Sequence, residues 1–398
     1  MGSSKPWLLA IWISAHGISA QQADLLASVK LKLHDDLRRL PNYLCTETID
    51  QSRIRGYSCS GPECHKVFLS RIRLDVGFVK GKQIFGWPGG ERLSDSDVSR
   101  FVSGLVTDGD LVALARILLV SKPTIKTERY EDLYGRAAIR YDFHVPLDNS
   151  GWLVGTPAEQ LNVAYSGSFW VDPSSQEVVE LRILAEGLPS AWEVKAIDRT
   201  LQYTRIPIGS RSFLLPSRAL LVTTLGDGMT RIMTEAQFSN CRQYTAESTL
   251  EFPIDAVLSA QAPANASRHP TISLPDEFAA ELSLETEIDT DRAAVGDLIT
   301  ARLKRKLGKR WRVRKNSDIV LHGRIDRLNV VNGRHYVGIA FNYLEIGGEK
   351  VDIRNRRNEL IANSEFWRLI QGANMNGGRI YIPRGQILRF RSIAGNGA

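Results

Sequence analysis

Few residues in this 398-residue chain stand at spacings that chemistry would use. Asp142 and His144 are two apart within the alternating run Ile139 to Val145. On a strand that spacing points both side chains to one face, as a histidine base and its orienting carboxylate would require. The bland alternative is a solvated polar face, because no nucleophile stands beside them in the sequence. Glu285/Glu287 and Asp289/Asp291 repeat the spacing with carboxylates, an arrangement that suits either a bound cation or plain exposed charge. Cys59, Cys64 and His65 form a C-x4-C-H cluster without the second half of a zinc site. The chain contains no G-x-S-x-G elbow, H-E-x-x-H pair, Walker loop or G-x-G-x-x-G fingerprint. We therefore assign no catalytic, cofactor-binding or metal-ligating residue. The expected role is non-catalytic, with a hydrolase of unrecognised site as the last alternative.

The most uneven feature is charge. Residues 271–398 hold 22 basic and 15 acidic residues, whereas residues 1–270 hold 29 of each, so the net +7 belongs to the C-terminal third. Nine of the fourteen residues from Arg302 to Lys315 are basic. Leu303, Leu307, Trp311 and Val313 fall on odd positions. Arg302, Lys304, Lys306, Arg310, Arg312 and Arg314 fall on even ones, so a strand would line all six along one face. Like charges that close repel unless a counter-ion, acidic neighbours or a partner faces them. The stripe could be a solvated edge that blocks aggregation. It could instead meet an anionic envelope surface such as phospholipid or lipopolysaccharide. Nucleic acid fits less well, since Trp311 is the one aromatic residue in the stripe.

Compartment follows from the start of the chain and from its cysteines. Lys5, the apolar run Pro6 to Ile13 and the small residues up to Ala20 have the order of a secretory signal peptide cleaved near Ala20; a buried N-terminal helix is the alternative. No apolar run reaches the ~20 residues of a transmembrane helix. A periplasmic or secreted location lets the four cysteines pair. The tip between Cys59 and Cys64 suits a short bridge, which leaves Cys45 to Cys241 across a loop of nearly 200 residues.

The elements that must position these residues are mostly strands. Leu25, Leu26, Val29, Leu33 and Leu37 predict a helix over 21–40, stopped by Pro41. Short helices are expected over 98–105 and 111–120. Strands are expected over 43–49, 67–79, 83–87, 138–145, 167–171, 178–185, 192–203, 217–224 and 230–238, at the spacing of an antiparallel sheet. Residues 259–272, rich in Ala and Pro, read as a linker. Beyond it strands recur over 298–307, 311–313, 319–328 and 336–346. A helical or irregular stretch over 358–370 and a strand pair around Pro383-Arg384-Gly385 complete the chain.

The order of segments through Asn42-Tyr43-Leu44-Cys45-Thr46, Tyr134-Gly135-Arg136, Phe169-Trp170-Val171-Asp172-Pro173 and Leu214-Leu215-Pro216 resembles secreted bacterial proteins of the outer-membrane lipoprotein-carrier (LolA-like) type. That resemblance implies a curved antiparallel sheet covered by helices, in a class that often carries lipid or acylated cargo. The stretch Glu285 to Asp289, Val295-Gly296-Asp297, Arg302 to Lys315 and Leu321-His322-Gly323-Arg324-Ile325 resembles the TrbI-like domain of conjugation channels, which implies a small β-barrel. The expected architecture is thus mainly β (α+β): residues 1–20 as signal peptide, 21–258 as a helix-covered curved sheet, 259–272 as linker and 273–398 as a basic barrel. The expected function is an exported envelope protein that binds an apolar ligand or partner through its first domain and an anionic surface through the second. The alternative is an accessory subunit of a secretion or pilus-like assembly.

Overall fold

A computed structural model describes residues 16–56, 65–90, 110–156, 159–244, 271–273, 279–306, 318–331, 334–354, 367–372 and 380–391. Helix α1 (His16–Arg39) opens them. Its buried stripe contains Val29 and Leu33, with Leu25, Leu26 and Leu37 half-covered, as the three- and four-residue spacing requires. Strands β1 (Tyr43–Arg55), β2 (His65–Val79) and β3 (Lys82–Gly86) follow. Next come β4 (Thr124–Leu133) and β5 (Arg136–Val145), then the hairpin of β6 (Leu153–Thr156) and β7 (Glu159–Asn162). The first module ends with β8 (Ala164–Asp172), β9 (Glu177–Glu186), β10 (Val194–Ile208), β11 (Arg211–Leu225) and β12 (Thr230–Gln243).

Ten of these strands form one antiparallel sheet in the order β3-β2-β1-β12-β11-β10-β9-β8-β5-β4. The chain runs to one edge, jumps to the other, then returns hairpin by hairpin until β12 closes against β1. Local turns drive the hairpins. Asp172 accepts from the Ser174 amide at 2.7 Å, and Asp227 accepts from the Thr230 amide at 2.7 Å. One face of the sheet carries the core. Ile139, Tyr141, Phe143 and Val145 all point inward from β5, and Tyr141 stacks on Phe169 at 5.0 Å. Alternation is the cause: every second residue of a strand meets the same layer.

The helical cover is smaller than expected. Beyond α1, the described residues add only the helical turns of 110–120, where Leu111, Leu114, Ile117 and Leu118 are buried, and a single turn at Leu147–Ser150. On the inner face the aromatic strand residues Tyr141, Phe143, Tyr165 and Phe169 pack on one another. The helix expected over 98–105 lies outside the described residues.

The second module corrects a larger expectation. It contains β13 (Thr271–Ser273), β14 (Ala279–Leu284), β15 (Ile288–Asp289), β16 (Leu298–Lys306) and β17 (Ile319–Val331). It continues with β18 (Arg334–Ile346), β19 (Glu349–Arg354), β20 (Trp367–Gly372), β21 (Tyr381–Ile382) and β22 (Ile387–Arg391). The sheet runs β13-β19-β18-β17-β16-β14-β22, with β20 also on β18, and among the described residues no strand pairing joins its two ends, so it is not a closed barrel. Closure needs a long last strand at the correct stagger. Here the outer edge of β18 is divided instead: residues 343–346 pair with β19 and residues 335–340 pair with β20. Residues 367–370, expected to be helical or irregular, belong to β20. The two segments around Pro383-Arg384-Gly385 do not pair with each other, because β21 pairs with β15 and β22 with β14.

The modules touch at the free part of β2. Because β3 reaches only residues 75–79, the first half of β2 keeps an open edge. Val295 pairs there in parallel with Ile72: the Arg73 amide donates to the Val295 carbonyl at 2.8 Å, and the Val295 amide donates to the Arg71 carbonyl at 2.9 Å. Arg73 forms an ion pair with Asp297, and Arg71 donates to the Asp291 carbonyl at 2.6 Å. Gly296 has φ +102°, and a Cβ there would lie 2.3 Å from the Arg73 carbonyl oxygen and 2.9 Å from the Trp87 ring. Only glycine fits. Trp87 in turn underlies the buried Arg324 guanidinium, 4.7 Å from the ring centre.

Candidate functional site

The outward face of β4, β5, β8 and β9 carries a network of polar and charged side chains. A shallow depression of about 430 Å³ is lined by Lys126, Arg140, Asp142, His144, Ser168 and Glu186, among others. Strand parity places Asp142 and His144 side by side, as the sequence predicts. Cross-strand register then decides their partners. Asp142 stands opposite Ser168, and His144 opposite Ser166. Asp142 accepts from Arg140 Nε at 2.6 Å, from Ser168 Oγ at 2.6 Å and from Arg129 Nη2 at 3.2 Å. Burial alone would push its carboxyl up; the hydrogen bonds from Ser168 and Arg140 and the Arg140 charge hold it below the usual range. His144 Nε2 meets Glu186 Oε2 at 3.3 Å, not Asp142.

This geometry is an ion-pair surface rather than a base with its orienter. The Ser168 proton is directed at a carboxylate already held anionic by arginines, which makes a weak base. Around Asp142 the backbone of β5 is paired with β4 on one side and β8 on the other, and β8 is paired with β5 and β9. The network continues beside the depression. Trp170 donates to Glu131 at 3.0 Å, and the Arg140 and Arg182 guanidinium carbons lie 5.4 and 4.6 Å from its ring centre. Glu180, fully buried, accepts from Arg182 at 2.6 Å and from Tyr134 at 2.8 Å. Such pairs tie strands that lie far apart in the chain.

The paired carboxylates of the second module are likewise engaged. Glu285 accepts from Arg302 at 2.8 Å, Glu287 from Tyr381 at 2.9 Å and Asp289 from Arg292 at 3.1 Å. Among the described residues no group of three or more His, Cys, Asp or Glu is placed to hold a metal ion. Cys59 and Cys64 lie outside the described residues. Cys45 and Cys241 do form a disulfide, 196 residues apart, across the adjacent strands β1 and β12 where a bulge separates Leu44 from Thr46.

The basic stripe is only partly within view. On β16, Ile299 and Ala301 are buried while Arg302 and Lys304 point outward, in agreement with the parity argument. Arg302 is not a bare cation. It is held by Glu285 and Asp318, and its hydrogen bonds to Asp318 and then Glu285 push its guanidinium further up. Lys304 is exposed. The Lys306 side chain and all of Arg310, Arg312 and Arg314 lie outside the described residues. The same face carries His322 stacked on Tyr343 at 4.7 Å, with Lys350 Nζ 4.5 Å from the Tyr343 ring centre.

One pair escaped the reading of the sequence. Glu47 and Arg199 are both buried on the inward face of the first sheet. Burial pushes the Glu47 carboxyl up to about 7, with the nearby Arg199 charge pulling the other way. The signal was parity: Glu47 falls on the odd register with Tyr43, Cys45 and Ile49, and Arg199 falls on that of Ile197 and Leu201. A charged residue in the apolar register of a strand is the mark to look for. No protein-family model matches the chain, and no characterised protein matches it either.

Proposed function

We propose that this protein is an exported, disulfide-braced, non-catalytic envelope protein whose second module attaches to an anionic surface. What carries the reading is the placement of charge. The whole +7 excess lies in residues 271–398, and β16 directs Arg302 and Lys304 outward before the chain enters 307–317 with its further basic residues. The cross-strand disulfide Cys45–Cys241 suits an oxidising compartment. The inner face of the first sheet is occupied by its own side chains, including Tyr43, Tyr141, Tyr165 and Phe169, so an apolar ligand there has less support than an anionic surface.

Flotation of the full protein with anionic and with neutral vesicles tests the proposal. Surface bases near anionic lipid contribute ~1 kcal/mol each, screened by salt. Binding should therefore favour anionic vesicles, weaken with salt and drop by more than tenfold in Lys304→Glu combined with Arg312→Glu. Equal flotation with both vesicle types, or indifference to the double variant, overturns it. The outer strands of both sheets, unpaired on one side among the described residues, favour a second reading, in which the chain packs as an accessory subunit against other proteins; discrete protein adducts after crosslinking in the native envelope would select it.

A further inference from the structure

Strand β4 ends the ten-stranded sheet, and among the described residues no strand lies beyond it. Ten residues is long for an unprotected edge, and such an edge offers a row of backbone donors and acceptors to another chain. Tyr130, near its middle, is 68% exposed although its neighbour across the ladder, Ile139, is buried in the core. An aromatic side chain in that position lacks the cover that its strand parity calls for. Charge then selects an occupant. Arg129 and Glu131 share the outward face, where both meet the β5 ion pairs.

We propose that β4 pairs antiparallel with β4 of a second copy of this chain, about a two-fold axis at Tyr130. Residues opposite one another in an antiparallel pair share a face, so a two-fold register must bring residues of equal parity together here. The register centred on Tyr130 sets Arg129 opposite Glu131 of the second copy, and Glu131 opposite its Arg129. The neighbouring allowed registers, centred on Arg129 or Glu131, set one of these residues against itself. The chosen register thus gives two opposite-charge pairs and brings the two Tyr130 side chains together on the inner face. The same register sets Glu128 opposite Asp132 twice, at the ends of the five-residue centre, so the two like-charged pairings lie outside the two opposite-charge pairs that flank the axis. A two-fold contact of this kind is self-complementary and closes, so it makes a dimer and not a fibre. One strand pair buries less than the ~1,200 Å² of a standard interface, and the dimer is concentration-dependent for that reason. The proposal is independent of the anionic-surface reading.

Sedimentation velocity of the full protein over a concentration series, with charge-reversal variants, is the test. The wild type should shift from monomer to dimer. Arg129→Glu alone and Glu131→Arg alone should each remain monomeric, because each sets like charges against each other twice. An equimolar mixture of the two variants should dimerise again. Both positions are then acidic in one chain and basic in the other, so each of the two cross-strand pairs joins opposite charges. A wild type that stays monomeric throughout, single variants that dimerise as the wild type does, or a mixture that does not recover overturns the proposal. Thermal melts establish that each variant folds. If either does not, Tyr130→Cys replaces them: two thiols at the axis should give a covalent dimer on a non-reducing gel, and its absence refutes the register.

Discussion

Glu47 offers the sharpest link between this structure and a measurable stability. Its carboxyl is held at about 7 in the folded protein against an ordinary 4.5, because burial penalises the charged form more than Arg199 rewards it. Between those two values the folded chain keeps a proton that the unfolded chain has released. The contribution of Glu47 to stability is therefore fully present below pH 4.5 and is lost as pH rises through 7, by roughly 3 kcal/mol at ~1.4 kcal/mol per pH unit. Glu47→Gln has nearly the same shape and stays neutral, so it reproduces the protonated state at every pH. Urea unfolding followed by tryptophan fluorescence, with the disulfide intact, should give nearly equal stabilities for variant and wild type at about pH 4, below the ordinary carboxyl value. At pH 8 the variant should be more stable by roughly 3 kcal/mol. Titration of remote groups cancels in the difference between the two proteins. A difference that stays flat from pH 5 to 8 refutes the reasoning. A wild type that gains on the variant as pH rises refutes it more sharply, since the Glu47–Arg199 attraction would then outweigh the cost of burying both charges.

Two further predictions concern how the sheets are held. Cys241→Ser should lower the unfolding free energy by about 5 kcal/mol, from chain-entropy estimates for a loop of 196 residues, as read by urea titration of both proteins. Gly296→Val would place a side chain against the Arg73 carbonyl and Trp87 at a backbone angle that L-residues avoid. Strain of about 1–3 kcal/mol should speed hydrogen exchange at the Arg73 and Val295 amides roughly tenfold or more, while amides of β10 and β11 stay protected.

Much of the strand content was legible because alternation depends on nothing beyond nearest neighbours. Ile139, Tyr141, Phe143 and Val145 could be placed on one face from the sequence alone, and so could Arg302 and Lys304 on the outward face of β16. The stripe of α1 was equally plain, from Leu25 to Leu37. Strand β4 was missed, since the run from Thr124 to Leu133 mixes charged and apolar residues and shows no clean period; it is a strand because β5 offers it an edge to pair with. The barrel was the costlier error. Whether a sheet closes depends on the stagger between its first and last strands, and that is a sum over every pairing in between.

The candidate site divides along the same line. Which face Asp142 and His144 occupy is local geometry, and the sequence by itself determined it. Arg140, two residues before Asp142 on the same strand, is a local partner; that Asp142 also binds Arg129 and Ser168, while His144 turns to Glu186, depends on registers between segments up to 42 residues apart and was decided by the tertiary structure. The segregation of charge into the last third was likewise a property of composition alone. The ion pairs that tie Arg302 to Glu285 and Asp318, and the contact of Val295 with the free edge of β2, come from chain segments that meet only after the sheets have formed. Parity is written residue by residue, whereas partners require that distant segments first come to lie side by side.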